Sequence, residues 1–151
     1  MSNKQRFLFS FSLLLTFTIT SSISLVNDYK HCITINFENV RNKKGRIQLQ
    51  VYKDSESFRA EVPWTTRYVS KTDITDGKAS FKIYNMPSGT YGLVLLDDEN
   101  RNTKIDYNWL VPKEGFGFSD YYHTAWSKPK FDDFKFNLTA AKTVTMKVRY
   151  L

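Results

Sequence analysis

Residues 84–96 read YNMPSGTYGLVLL, a punctuated bend that runs directly into an unbroken apolar stretch. Pro87 presets its φ and Gly89 admits a positive one, so the chain should turn sharply across Met86–Gly89. Thr90–Leu96 then reads as a continuous apolar strand. Tyr91 is placed to pack inward and bond its hydroxyl back to the turn, as in a tyrosine corner.

Outward from this bend, period-two patterns dominate. Ile33, Ile35 and Phe37 alternate with Thr34 and Asn36, and Ile47, Leu49 and Val51 alternate with Gln48, Gln50 and Tyr52. A third segment spans Thr66–Thr72. Thr75-Asp76-Gly77 reads as a hairpin turn before Phe81 and Ile83. Phe134, Phe136 and Leu138 alternate again, and Val144, Met146 and Val148 close the chain. Helical periodicity is confined to Ser55–Arg59, where Asp54 or Ser55 can cap a short helix. Most loops are too short for crossover helices, which favours antiparallel pairing. The Tyr84–Tyr91 phrase resembles the Pro-x-Gly-x-Tyr corner of prealbumin-like and Cna-B-like domains. The expected fold is all-β: a single immunoglobulin/prealbumin-like sandwich of about seven antiparallel strands with one long aromatic-rich loop.

Lys4 and Arg6 precede the apolar run Phe7–Ile23, with small residues at Ser21, Ser22 and Ser24, the pattern of a cleaved signal peptide over residues 1–24. The alternative is a retained anchor, disfavoured because the run is short for a bilayer and interrupted by hydroxyl residues. With residues 25–151 as one β-sandwich domain, no transmembrane span is expected after cleavage. The mature part keeps 20 basic and 15 acidic residues, a net charge of +5. The basic residues are dispersed, which suits a solvated surface better than a nucleic-acid footprint. Cys32 is the single cysteine, so no intrachain disulfide or thiolate metal cluster can form. It reads as a passive strand residue.

The segment 97–130 is long for a connection in a compact domain, and such segments are usually functional or separately packed. It sets Asp98, Asn100 and Asn102 at alternate positions and follows them with Lys104 and Asp106. Oxygens at this spacing, counting the Lys104 carbonyl, can wrap a structural Ca²⁺. The twelfth position is Trp109, so Asp97, Glu99 or Glu114 would have to complete the shell. The other reading closes the loop with Asx turns on its own backbone. Trp109, Tyr121, Tyr122 and Trp126 could stack on a ligand. Alternatively, the aromatic residues form a satellite core, with Phe116 and Phe118 as plugs at the end of a barrel.

Residues 98–119 resemble the core motif of a secreted bacterial family known as domain of unknown function 2141: D-E-N-G-N-G-K-x-D, then P-x-E-G-[YF]-G-F-S. The match runs through Asp98, Glu99, Asn100, Asn102, Lys104, Asp106, Asn108, Pro112, Glu114, Gly115, Phe116, Gly117, Phe118 and Ser119. Val40, Arg41, Asn42 and Gly45 upstream and Phe131, Asp132 and Asp133 downstream also fit. Arg101 and Thr103 stand where that family usually has glycine. The resemblance implies an exported β-sandwich and lends no defined activity.

Catalytic signatures are sparse. Asp132 and Asp133 are adjacent, so on a strand they would face opposite ways. His31 and His123 are far apart, and no nucleophile elbow or phosphate loop is present. The expectation is an exported, periplasmic or extracellular, non-enzymatic module that binds or scaffolds an unidentified envelope protein or glycan. The alternatives are a carbohydrate-binding module and an envelope hydrolase using Asp98, Asp106 and His123. A transition-metal site pairing His123 with Asp120 is a weaker option.

Overall fold

The computed structural model describes residues 30–109 and 111–151. The signal-peptide reading of residues 1–24 lies outside them. The described chain is mostly β, in open sheets, with no barrel. Among the described residues no helix is long and apolar enough to cross a membrane.

Three strands form one sheet in the order β10 (Lys142–Lys147), β1 (Lys30–Glu38), β4 (Ala79–Pro87). A second sheet runs β3 (Thr65–Val69), β2 (Arg46–Tyr52), β5 (Gly89–Asp98), β8 (Phe116–Phe118), with β9 (Lys135–Leu138) also on β5. The alternating residues of β1, β2 and β10 point inward as expected. Phe134, expected to alternate with Phe136 and Leu138 along a strand, instead lies in a helical turn and packs on the outer face. Ile33, Ile35 and Phe37 of β1 meet Ile47, Leu49 and Val51 of β2, Leu93 and Leu95 of β5, and Val144 and Met146 of β10 in one buried core.

β5 is apolar at successive positions because both of its faces are covered. Tyr91, Leu93 and Leu95 face the core between the sheets, while Phe131 and Phe134 lie against Gly92 on the other side. A Cβ at Gly92 would sit 2.6 Å from the Phe134 ring, so glycine there lets the aromatic cover lie directly on the backbone. This outer cover is a second cluster of Tyr52, Phe58, Phe118, Phe131 and Phe134.

The bend at residues 87–89 carries the chain from one sheet to the other with Ser88 alone between β4 and β5. Tyr91 is buried, and its hydroxyl donates to the Pro87 carbonyl at 2.9 Å, the corner expected from the sequence. The helix at Ser55–Arg59 (α1) also forms, capped by the Asp54 carboxylate on the Ser57 amide at 2.7 Å.

Several expectations are corrected. β1 and β10 are parallel, with Ile35 opposite Val144. Loop length argues for antiparallel pairing only between neighbours in sequence, and these two strands open and close the described chain. Strand segments number ten among the described residues because the 97–130 connection contains β6 (Tyr107–Asn108), β7 (Val111–Pro112) and β8. The Asp76-Gly77 turn forms, both residues having positive φ, yet β3 and β4 on either side join different sheets. Asp132 and Asp133 lie in a helical turn, Phe131–Phe134 (α2), where Asp133 accepts from the Lys130 amide at 2.8 Å. Phe116 and Phe118 plug no barrel: they sit on β8, paired to β5, with Phe118 in the outer aromatic cluster.

Candidate functional site

Asp98 to Asp106 form a closed loop in which side chains satisfy the backbone. The buried Asp98 carboxylate accepts from the amides of Asn102 at 2.9 Å and Thr103 at 3.2 Å, and from the Arg46 guanidinium at 3.0 Å. Asn100 and Asn102 each accept from the backbone amide two residues on, making two Asx turns. Their side-chain amides both converge on the Asp106 carboxylate. Arg101 and Thr103 take φ of 64° and 69°, so the loop keeps the left-handed bends that glycine adopts freely.

Glu114 reaches this loop from across the β6–β7 hairpin and accepts from the amides of Glu99 at 2.9 Å and Asp106 at 3.3 Å. Burial, followed by repulsion from Asp106 and Asp98, raises its pKa. Among the described residues no three His, Cys, Asp or Glu side chains are placed to hold a metal ion. The expected set Asp98, Asn100, Asn102, Lys104 and Asp106 is thus gathered on one short loop, in the Asx-turn form. For the asparagine side-chain oxygens to reach an ion, their amides would have to turn over and give up those turns.

The segment 40–45 docks onto this loop. Glu99 accepts from Arg41 at 2.7 Å and Asn42 at 2.9 Å, and the bond from Arg41 lowers its pKa. Gly45 is confined to glycine: its φ is +71°, and a Cβ would lie 2.1 Å from the Asp98 carbonyl oxygen. Beneath lies a buried pair, Lys71 and Asp97, with Nζ 2.5 Å from Oδ1. Tyr150 donates to the other carboxylate oxygen at 2.6 Å. Burial raises the Asp97 pKa against the opposing pull of Lys71 and Tyr150.

A separate cavity of about 650 Å³ opens on the outer face of the second sheet. Gln50, Val94 and Leu96 contribute to it from the sheet. Tyr52, Phe58, Tyr107, Phe116, Phe118 and Trp126 supply its aromatic lining. Burial pushes the Tyr52 phenol up to about 12, so it stays a neutral donor, 2.8 Å from Gln50. Lys128 ties one rim to α1 through the Phe58 carbonyl at 3.2 Å, and to Glu61 just beyond that helix at 2.8 Å. Arg149 holds the carbonyls of His123 and Ala125.

The four aromatic residues expected to stack on a ligand divide. Trp126 lines the cavity and is 80% exposed. Trp109 is 94% exposed at the tip of the β6–β7 hairpin, with φ of 59°. Tyr122 is exposed, with Lys147 lying over its ring. Tyr121 instead packs on Phe118 in the outer aromatic cluster. His123 is buried and bonded to the Ser127 carbonyl at 2.6 Å, which requires its proton on Nε2. Asp98, Asp106 and His123 share no hydrogen bond, and Asp120 bonds the Thr145 amide. Sequence reasoning missed Tyr52, Phe58 and Tyr107 as cavity residues. The first two arrive from distant elements, and only the burial of both faces of β2 could have hinted at Tyr52.

A family model described as "Uncharacterized protein conserved in bacteria (DUF2141)" matches residues 35–147. No curated protein and no solved structure matches the chain.

Proposed function

The chain belongs to the DUF2141 family of uncharacterised bacterial proteins, and we propose that it is an exported, non-enzymatic binding module of the periplasm or cell exterior. Residues 1–24 would direct export, and the domain would have immunoglobulin/prealbumin-like topology. Two open sheets around one core and the tyrosine corner at the sheet switch support that topology.

The observation that carries the functional reading is the aromatic cavity with Trp126 exposed at it. Flat aromatic faces stack on the C–H faces of sugar rings, and Gln50, Lys104 and Glu61 in the same lining can bond hydroxyls. An envelope glycan is therefore the ligand class favoured over a protein partner. The test is a glycan array on the mature domain followed by titration of each hit. Trp126→Ala should weaken binding at least tenfold with unchanged thermal stability, because the ring is already in water. Absence of glycan binding, or hits indifferent to this substitution, would reject the reading.

A structural Ca²⁺ on the Asp98–Asp106 loop is a second reading. It is supported by the gathering of Asp98, Asn100, Asn102 and Asp106 on one short loop, whose oxygens could face a hard cation once the asparagine amides turn over.

A further inference from the structure

Lys71 and Asp97 offer a chemistry that neither the cavity nor the calcium reading uses. Both side chains are wholly shut away from solvent, and the amine is 2.5 Å from one carboxylate oxygen. Asn42 Oδ1 accepts from the same amine at 3.3 Å. The Tyr150 hydroxyl donates to the second carboxylate oxygen at 2.6 Å and itself accepts from the Arg41 amide at 3.0 Å. Withdrawing two charges from water carries a penalty that their attraction repays only when the geometry is very good. A neutral amide at the same place would carry no charge at all.

We propose that Lys71 and Asp97 condense into an intramolecular amide that staples the segment after β3 to the end of β5. The Lys71 ammonium first passes a proton to Asp97 Oδ1. The freed Nζ lone pair attacks Cγ, and the Tyr150 hydroxyl bonds the oxyanion that forms on Oδ2. A second proton then moves from Nζ to Oδ1, which departs as water while the carbonyl re-forms. One C–N bond is made, one C–O bond is broken and one water leaves. Nothing is oxidised or reduced, and no co-reactant is needed.

The surroundings favour each part of this step. Contact at hydrogen-bonding range turns a bimolecular condensation into an intramolecular one. A desolvated lysine is the activated form of that nucleophile. A donor fixed where the negative charge develops lowers the barrier. A dry site opposes the reverse hydrolysis. The bond would close a loop between residues 26 apart in sequence, restricting the unfolded chain as a disulfide does. With one cysteine, this chain cannot form an intrachain disulfide.

The test is a tryptic peptide map of the full wild-type chain after denaturation. The expected product is a branched peptide joining residues 68–78, uncleaved after Lys71, to residues 83–101. Its mass should be one water below the sum of the two peptides. Asp97→Ala should restore cleavage after Lys71 and give only linear peptides. Tyr150→Phe, which keeps the ring and loses the donor, should leave a larger uncondensed fraction. A wild-type digest containing only linear peptides, cut after Lys71, overturns the proposal whether or not the variants fold.

Discussion

Thr103 holds a backbone conformation that its own side chain opposes. Its φ of 69° lies in the left-handed region, which costs an L-residue roughly 1–2 kcal/mol. The bend persists because the Asp98 carboxylate holds the Thr103 amide and the Asn102 side chain holds the next one. Thr103→Gly should therefore stabilise the fold by about 1 kcal/mol, the relief of strain exceeding the entropy glycine adds to the unfolded chain. Urea unfolding measures it, and an unchanged midpoint would show that the neighbouring bonds do not strain this residue. Glu99 gives a pH signature. Arg41 lowers its folded pKa below the usual 4.5. The folded state then binds fewer protons, so this contribution is complete above pH 4.5 and is lost as pH falls through the lowered value. Glu114, raised by burial, acts with the opposite sign and loses stability as pH rises through its raised value. The stability gap between wild type and Glu99→Gln should shrink below pH 4.5. A gap independent of pH would mean that Arg41 holds Glu99 without charge.

At the scale of elements, the 97–130 segment divides into a charged loop and an aromatic cover, with different tests. If the loop takes calcium, the ion binds only the folded form and stabilises it by about 2.7 kcal/mol at a hundredfold excess over the dissociation constant. Neutral amides among the ligands suit the weak, roughly 10⁻⁴–10⁻³ M affinities of extracellular modules. Melting in millimolar Ca²⁺ should then exceed melting in EDTA, and Asp98→Ala with Asp106→Ala should erase the difference. Coincident wild-type melts would leave the loop closed by its Asx turns alone. The aromatic cover was only partly legible. Gly-Phe-Gly-Phe hid a strand because pairing to Leu96, Leu95 and Val94 of β5 supplies the order that glycine lacks. Ser119 continues the attachment, accepting from the Leu93 amide at 3.0 Å and donating to the Phe134 carbonyl at 2.7 Å.

For the whole molecule, local chemistry was enough to reveal the strands, the corner and the capped helix. Alternation marks the faces of β1 and β2, Pro87 with Gly89 marks a sharp bend, and Asp54 marks a helix start, each within a few residues of its effect. The clustering of Asp98, Asn100, Asn102 and Asp106 was readable for the same reason, since one short loop carries them all. The tertiary structure alone decided what depends on chain closure. It set the parallel pairing of the first and last described strands, the entry of Lys71 and Tyr150 beside Asp97, and the cavity walled by α1, the β6–β7 hairpin and residues 123–129. Those contacts join residues far apart in sequence, and their geometry comes from how two sheets pack, which no local pattern records.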